Sequence, residues 1–141
     1  MRKRLLFIAE DNEDHAFLIN RSLLASEENI DVKWAKDGQE IIDLIKNESQ
    51  IPDLVLLDLK MPKKDGFEVL SFLKGNVETT KIPVLVLSTS NNEKDVHKAY
   101  QLGANCYITK PMEISKFRSK LSDIPKFWFH TTTLPSFSDE I

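Results

Sequence analysis

The sequence predicts an α/β protein: a doubly wound, five-stranded parallel sheet covered on both faces by five helices. Three observations predict it. Short apolar runs alternate along the chain with segments whose apolar residues recur at helical spacing. Several of those runs are almost unbroken in apolar character, as strands buried on both faces are. The 141 residues suffice for one such domain with a full core and no disulfide or metal staple.

Each element has its own justification. Leu5–Ala9 is the first strand, and Ala16, Ile19 and Leu23 share one face of the helix that follows. Val32–Ala35 is the second strand. Asp37-Gly38-Gln39-Glu40 then starts a helix with an acid three residues after its cap, and Ile41, Leu44 and Ile45 form its stripe. Leu54–Leu57 has no polar residue and reads as the third strand. Asp65-Gly66-Phe67-Glu68 repeats the helix-start pattern, with Val69, Leu70 and Leu73 as the apolar face. Val84–Leu87 is the fourth strand. Val96, Ala99 and Tyr100 mark the fourth helix, which Gly103 ends as a C-terminal cap. Cys106–Ile108 and the stripe Ile114, Phe117, Leu121, Ile124 complete the pattern. The domain so read spans residues 1–124. Residues 125–141 form a C-terminal extension, too short for a second domain.

Composition excludes several functions. A net charge of −3 argues against a nucleic-acid surface, whose footprint is a basic stripe. Only four glycines occur, at 38, 66, 75 and 103, and no two lie closer than nine residues. Neither the dinucleotide fingerprint nor the P-loop can be built from them. No apolar run is long enough for a membrane span. The basic start followed by Leu5-Leu6-Phe7-Ile8-Ala9 meets Glu10-Asp11 after five apolar residues, so it does not read as a secretion signal. The single cysteine, Cys106, has no internal disulfide partner, and a reducing cytoplasm is the expected location.

In open parallel sheets, ligands bind beyond the carboxyl ends of the strands. The residues there are Glu10 and Asp11 after the first strand, Asp58 after the third, Ser88-Thr89-Ser90 after the fourth, and Thr109-Lys110-Pro111 after the fifth. Taken singly, each has an ordinary explanation: helix-start acids, a turn aspartate, a surface lysine. Those explanations do not predict convergence on one rim. Clustered carboxylates repel unless a proton or a cation joins them. A hard divalent ion such as Mg²⁺ takes oxygen ligands of this kind. With an ammonium and a hydroxyl alongside, the set suits a phosphoryl group, and a rigidly held carboxylate such as Asp58 is able to act as the nucleophile.

The same residues resemble a receiver domain of the two-component response regulators. The matching pieces are Glu10-Asp11, Asp58 within Leu56-Leu57-Asp58-Leu59-Lys60-Met61-Pro62, Asp65-Gly66, Ser88, and Lys110-Pro111. From Asp58 it is 30 residues to Ser88 and 52 to Lys110. The resemblance covers roughly residues 4–124. It implies the flavodoxin-like strand order 2-1-3-4-5 and phosphorylation of Asp58 by a sensor histidine kinase. It implies Mg²⁺ (or Mn²⁺) held by Asp11 and Asp58, by Glu10 through water, and by the backbone carbonyl of Lys60. Ser88 and Lys110 are then the groups that bind phosphoryl oxygens. Ser88 and Tyr107 form the switch pair, and the Lys110–Pro111 peptide is expected to be cis. Lys60 and Ser90 are less standard at their positions. His15, though close to the acidic pair, is read as a solvated helix residue.

The extension holds four of the chain's aromatics, three of them consecutive at Phe127-Trp128-Phe129. They either cap the last helix or form a protein interface. With Leu134-Pro135 following and Gly103–Pro111 upstream, the chain is similar to phytochrome-associated single-domain response regulators. That resemblance implies a bacterial phytochrome as kinase and a homodimer using Phe127, Trp128, Phe129 and Leu134, with no membrane or nucleic-acid partner. The competing readings are a pseudo-receiver that works without phosphorylation, a haloacid-dehalogenase-type phosphatase, and a flavodoxin-like redox protein. The phosphatase would need an acid where Lys60 stands.

Overall fold

Leu54-Val55-Leu56-Leu57 forms β3, and all four side chains are buried. A strand so placed needs a cover on each face, and the chain supplies both. The computed structural model describes residues 3–26, 29–47 and 51–134. In order they form β1 (Arg4–Ala9), α1 (Glu13–Leu24), β2 (Ile30–Ala35), α2 (Gly38–Asn47), β3 (Leu54–Leu57), α3 (Gly66–Gly75), β4 (Val84–Ser88), α4 (Glu93–Gln101), β5 (Cys106–Thr109) and α5 (Ile114–Lys126). The sheet is parallel throughout, in the order β2-β1-β3-β4-β5.

Strand alternation divides the core in two. Phe7, Val55, Leu57, Val84 and Val86 face one side, where Ile41 of α2, Leu70 and Leu73 of α3 and Ala99 of α4 cover them. Leu6, Ile8, Leu54, Leu56 and Leu85 face the other, under Ile19 and Leu23 of α1 and Phe117 and Leu121 of α5. Each of these larger side chains contributes about 1.5–3 kcal/mol by burial. The two apolar layers therefore fix the register that places every residue at the strand ends.

Helix starts are set by side-chain caps. The Asp37 and Asp65 carboxylates accept the N–H groups of Glu40 (2.8 Å) and Glu68 (2.9 Å), as the sequence predicts. Asn12 and Asn92 do the same for His15 and Lys94. Gly103 ends α4 with φ +104°, a left-handed value that L side chains rarely adopt. The Lys74 ammonium bonds Thr80 O, Ile82 O and Asn105 Oδ1, tying α3 to the start of β4 and the turn before β5.

The last helix runs past residue 124. α5 continues through Pro125 to Lys126, and residues Phe127–Thr131 form one π-helical turn, closed by Thr132 N–H to Phe127 O at 2.9 Å. Proline lacks the N–H of a normal α-helical bond, and here the wider turn follows it. Trp128 and Phe129 pack half-buried against the second core layer. Phe129 also lies under the Arg4 guanidinium, at 5.6 Å.

Candidate functional site

β1 and β3 are neighbours and end level, Ala9 beside Leu57. The residues immediately beyond them, Glu10 and Asp58, are therefore brought side by side, with the Asp58 N–H donating to Ala9 O at 3.0 Å. Asp11 follows Glu10 at the exposed mouth. One oxygen from each of Glu10, Asp11 and Asp58 lies within 4.8 Å of the others. Lys110 arrives from beyond β5, its own N–H donating to Ser88 O at 2.7 Å. Its buried ammonium bonds Glu10 Oε1, lies 3.0 Å from His15 Nδ1 and 3.8 Å from Asp58 Oδ2.

The expected cis Lys110–Pro111 peptide is not present; no cis peptide occurs among the described residues. The lysine reaches the carboxylates through a trans bond, the form intrinsically favoured before proline.

The electrostatics follow from burial. Two of the three carboxylates are inside, Glu10 at 1% exposure and Asp58 at 8%. Against them stands the single ammonium of Lys110. Burial first, and then the Glu10 charge, push the Asp58 carboxyl up to about 7 against the opposing pull of Lys110 and an N–H from Lys60. A proton on Asp58 thus relieves a surplus of negative charge that a divalent cation would relieve equally. Hard oxygen donors clustered at a part-open mouth, and short of positive charge, fit Mg²⁺ or Mn²⁺. Glu10, Asp11 and Asp58 are the side chains able to hold it.

The loop after Asp58 is pressed tightly onto the site. Gly66 N–H donates to Leu59 O at 2.9 Å. A Cβ on Gly66 would meet Asp58 O at 2.4 Å. Lys60 is exposed at this mouth.

Ser88, fully buried, ends β4 in register with Thr109. Its Oγ accepts the N–H of Ser90 at 3.1 Å. Ser90 in turn bonds Asp95 of α4 through its hydroxyl at 2.7 Å, and its carbonyl accepts the Tyr107 hydroxyl at 2.7 Å. The Tyr107 N–H donates to Tyr100 Oη at 3.1 Å. Continuous hydrogen bonds thus join Ser88 to α4 and to the β5 edge.

The aromatic residues 127–129 are not part of this site. Phe129 stacks on Arg4, at the start of β1, and the acidic pair lies at the other end of that strand, about 20 Å away along it. Phe127 remains half-exposed, Leu134 is half-buried.

Two residues at the site were not singled out by sequence reasoning. His15, read as solvated, turns its Nδ1 to Lys110 and its ring edge to Phe117. Burial, then the Lys110 charge, lower its pKa, so it stands neutral and able to accept from the ammonium. The available signal was its position: an N-cap at Asn12 puts residue 15 on the first turn, over the strand ends. Trp34, whose indole N–H bonds Glu10 O, carried no sequence signal.

Comparison with known proteins agrees with this geometry. Residues 6–122 match the family described as the response regulator receiver domain. Response regulator Rcp1 of Synechocystis sp. is 35% identical over 138 residues, covering 94% of each chain. The phosphorylated cyanobacterial phytochrome response regulator RcpA is 41% identical, with a TM-score of 0.92 over 96% of this chain and all of that one. The Mn²⁺-bound form of Rcp1 superposes with a TM-score of 0.89 at 36% identity, covering 94% of this chain and 99% of that one.

Proposed function

Because the chain belongs to the response regulator receiver family, we propose that Asp58 is its phosphoryl acceptor and that the acyl phosphate so formed alters the protein's contacts. The observation that carries this is the convergence of Asp58, two further carboxylates and Lys110 at the ends of β1, β3 and β5. A carboxylate oxygen of Asp58 attacks phosphorus as the bond to the donor's histidine nitrogen breaks, and the imidazole leaves with that electron pair. Lys110 offsets charge on the phosphoryl oxygens, and the Ser88 hydroxyl donates to one of them. Mg²⁺ (or Mn²⁺), held by Asp11, Asp58, the Lys60 carbonyl and Glu10 through water, would supply the remaining positive charge. A Mn²⁺-bound Rcp1 and a phosphorylated RcpA support this reading.

Moving toward the phosphoryl group, Ser88 releases the Ser90 N–H. Tyr107, bonded to the Ser90 carbonyl, then repositions together with α4. The output face is that of α4, β5 and α5, where Tyr100 and Phe127 stand half-exposed beside a groove of about 480 Å³ lined by Cys106, Tyr107, Ile108 and Trp128. This face also seats a homodimer, since exposed aromatics favour such contacts. The donor is a sensor histidine kinase, a phytochrome by likeness to relatives that cover nearly this whole chain. No helix among the described residues is long and apolar enough to cross a membrane, and we place the reaction in the cytoplasm.

Acetyl phosphate with Mg²⁺, followed by intact mass, tests the acceptor. One phosphoryl adduct is expected on the wild type and none on Asp58→Asn; an equal adduct on both would refute it. Light scattering of the full chain and of Phe127→Ser, with and without beryllofluoride and Mg²⁺, tests the dimer. A wild-type monomer under every condition would refute that part.

A further inference from the structure

Trp34 lies in β2, in register with Ile8 of β1. Its indole N–H crosses the strand end to donate to the backbone carbonyl of Glu10 at 2.7 Å. The ring is half-exposed in an open groove with Glu13, Ala16, Phe17, Asn20 and Val32. Glu10 is the first residue past the end of β1. Its N–H is still tied to Ala35 O at 3.0 Å, while its carbonyl lies beyond the ladder. A peptide unit is planar, so fixing that carbonyl oxygen fixes the plane joining Glu10 to Asp11. The two side chains leave the chain at the Cα atoms that this unit joins. Two further bonds act on the Glu10 side chain: Asn12 N–H on Oε2 at 3.2 Å, and Lys110 on Oε1.

We propose that Trp34 is a positioning residue for the cation site, holding the Glu10–Asp11 peptide in the orientation that presents both carboxylates to a divalent ion. This rests on the cation reading above. The indole is bonded one peptide unit from the ligands, so its emission reports cation binding. The chain's other tryptophan, Trp128, packs on the same face of the sheet but past the end of α5, in a groove with Leu85 and Cys106 of the opposite sheet edge.

The test titrates Mn²⁺ and Mg²⁺ into the full chain by calorimetry and by tryptophan emission, with thermal melts in EDTA and in saturating Mg²⁺. Trp34→Phe keeps a ring and loses the donor. Its cation affinity is expected to fall roughly three- to ten-fold, the loss of one hydrogen bond. Phe17→Leu reshapes the same groove, spares the bond, and is expected to bind as the wild type does. Trp128→Phe keeps the cation-dependent emission change and Trp34→Phe loses it. A purely structural role would lower both melts equally, whereas a positioning role shrinks the rise that Mg²⁺ produces. Wild-type affinity in Trp34→Phe, or wild-type emission indifferent to bound cation, overturns the assignment. A wild type that binds no cation at all overturns the cation reading along with it.

Discussion

Replacing Asp58 with Asn tests the site's electrostatics without any partner protein. Asn has the shape of the protonated acid and cannot ionise. In the cation-free protein the folded Asp58 carboxyl holds its proton up to about pH 7, against 3.8 for an unperturbed aspartate. Between these values the folded state binds more protons than the unfolded chain, so this group's stabilising contribution is full below pH 4 and is lost as pH rises toward 7. The shift of about three units, at about 1.4 kcal/mol each, sets a ceiling of about 4 kcal/mol. Asp58→Asn should therefore exceed the wild type by only about 1 kcal/mol near pH 4.5 in EDTA and by about 2–4 kcal/mol at pH 8. That corresponds to roughly 6–12 °C in melting temperature for a domain of this size. Saturating Mg²⁺ should reverse the order, because binding to the folded state stabilises the wild type and has lost one carboxylate in the variant. Urea unfolding at pH 4.5, 6 and 8, with EDTA and with Mg²⁺, measures all of this. A wild-type-minus-variant difference in EDTA that does not change with pH would refute the reasoning.

Lys110→Met removes the ammonium and leaves Glu10 buried without it; cation-free stability at pH 8 should drop by about 3 kcal/mol, and an unchanged urea midpoint would contradict the pairing. Tyr107→Phe deletes the bond to Ser90 O, at about 1 kcal/mol. Acetyl phosphate should still label Asp58, but amide exchange at residues 89–92 should no longer respond to phosphorylation as in the wild type; an identical response would remove Tyr107 from the switch. Gly66→Ala places a Cβ 2.4 Å from Asp58 O and 2.6 Å from the Leu59 Cα; backbone cannot yield cheaply, so a loss of about 2 kcal/mol or more and slower labelling are expected, and a wild-type melting curve would count against that close approach. Cation affinity should rise with pH up to about 7, where binding must displace the Asp58 proton, and level off above it; calorimetry showing a constant affinity from pH 5.5 to 8.5 would exclude that coupling.

What was legible in the sequence was whatever depends on short range or on burial. β3 is matched residue for residue because Asp53 and Asp58 bound a run that is apolar throughout. β2 begins two residues before its apolar stretch, at Ile30, because an edge strand exposes Asp31 and Lys33 and so breaks the apolar signal. The acidic pair, Asp58, Ser88 and Lys110 were legible because each lies at or just past a strand end, and a parallel sheet gathers such positions on one rim. The links between them were not. Ser90 to Asp95, Tyr107 to Ser90 and Trp34 to Glu10 depend on how far side chains reach across neighbouring elements, and periodicity carries no information about that.

The raised Asp58 carboxyl also bears on how the acceptor is controlled. A protonated carboxylic acid has no free anionic oxygen to offer phosphorus, so near pH 7 much of the cation-free protein carries a poor nucleophile. The groups that make it poor are burial and Glu10, and both are built into the ends of β1 and β3. Relief comes from added positive charge, supplied by Lys110 only in part because its ammonium bonds Glu10 directly and stands 3.8 Å from Asp58. A site that already satisfied its carboxylates would bind a cation weakly and keep a reactive aspartate at all times. This one leaves a deficit of one or two positive charges, so under the proposed function cation binding would displace the Asp58 proton and free the acceptor oxygen together. The scarcity of glycine fits the same logic. A glycine-rich loop cradles phosphate with backbone N–H groups that are always present, whereas a cluster of charged side chains makes phosphoryl uptake conditional on the ion that completes it.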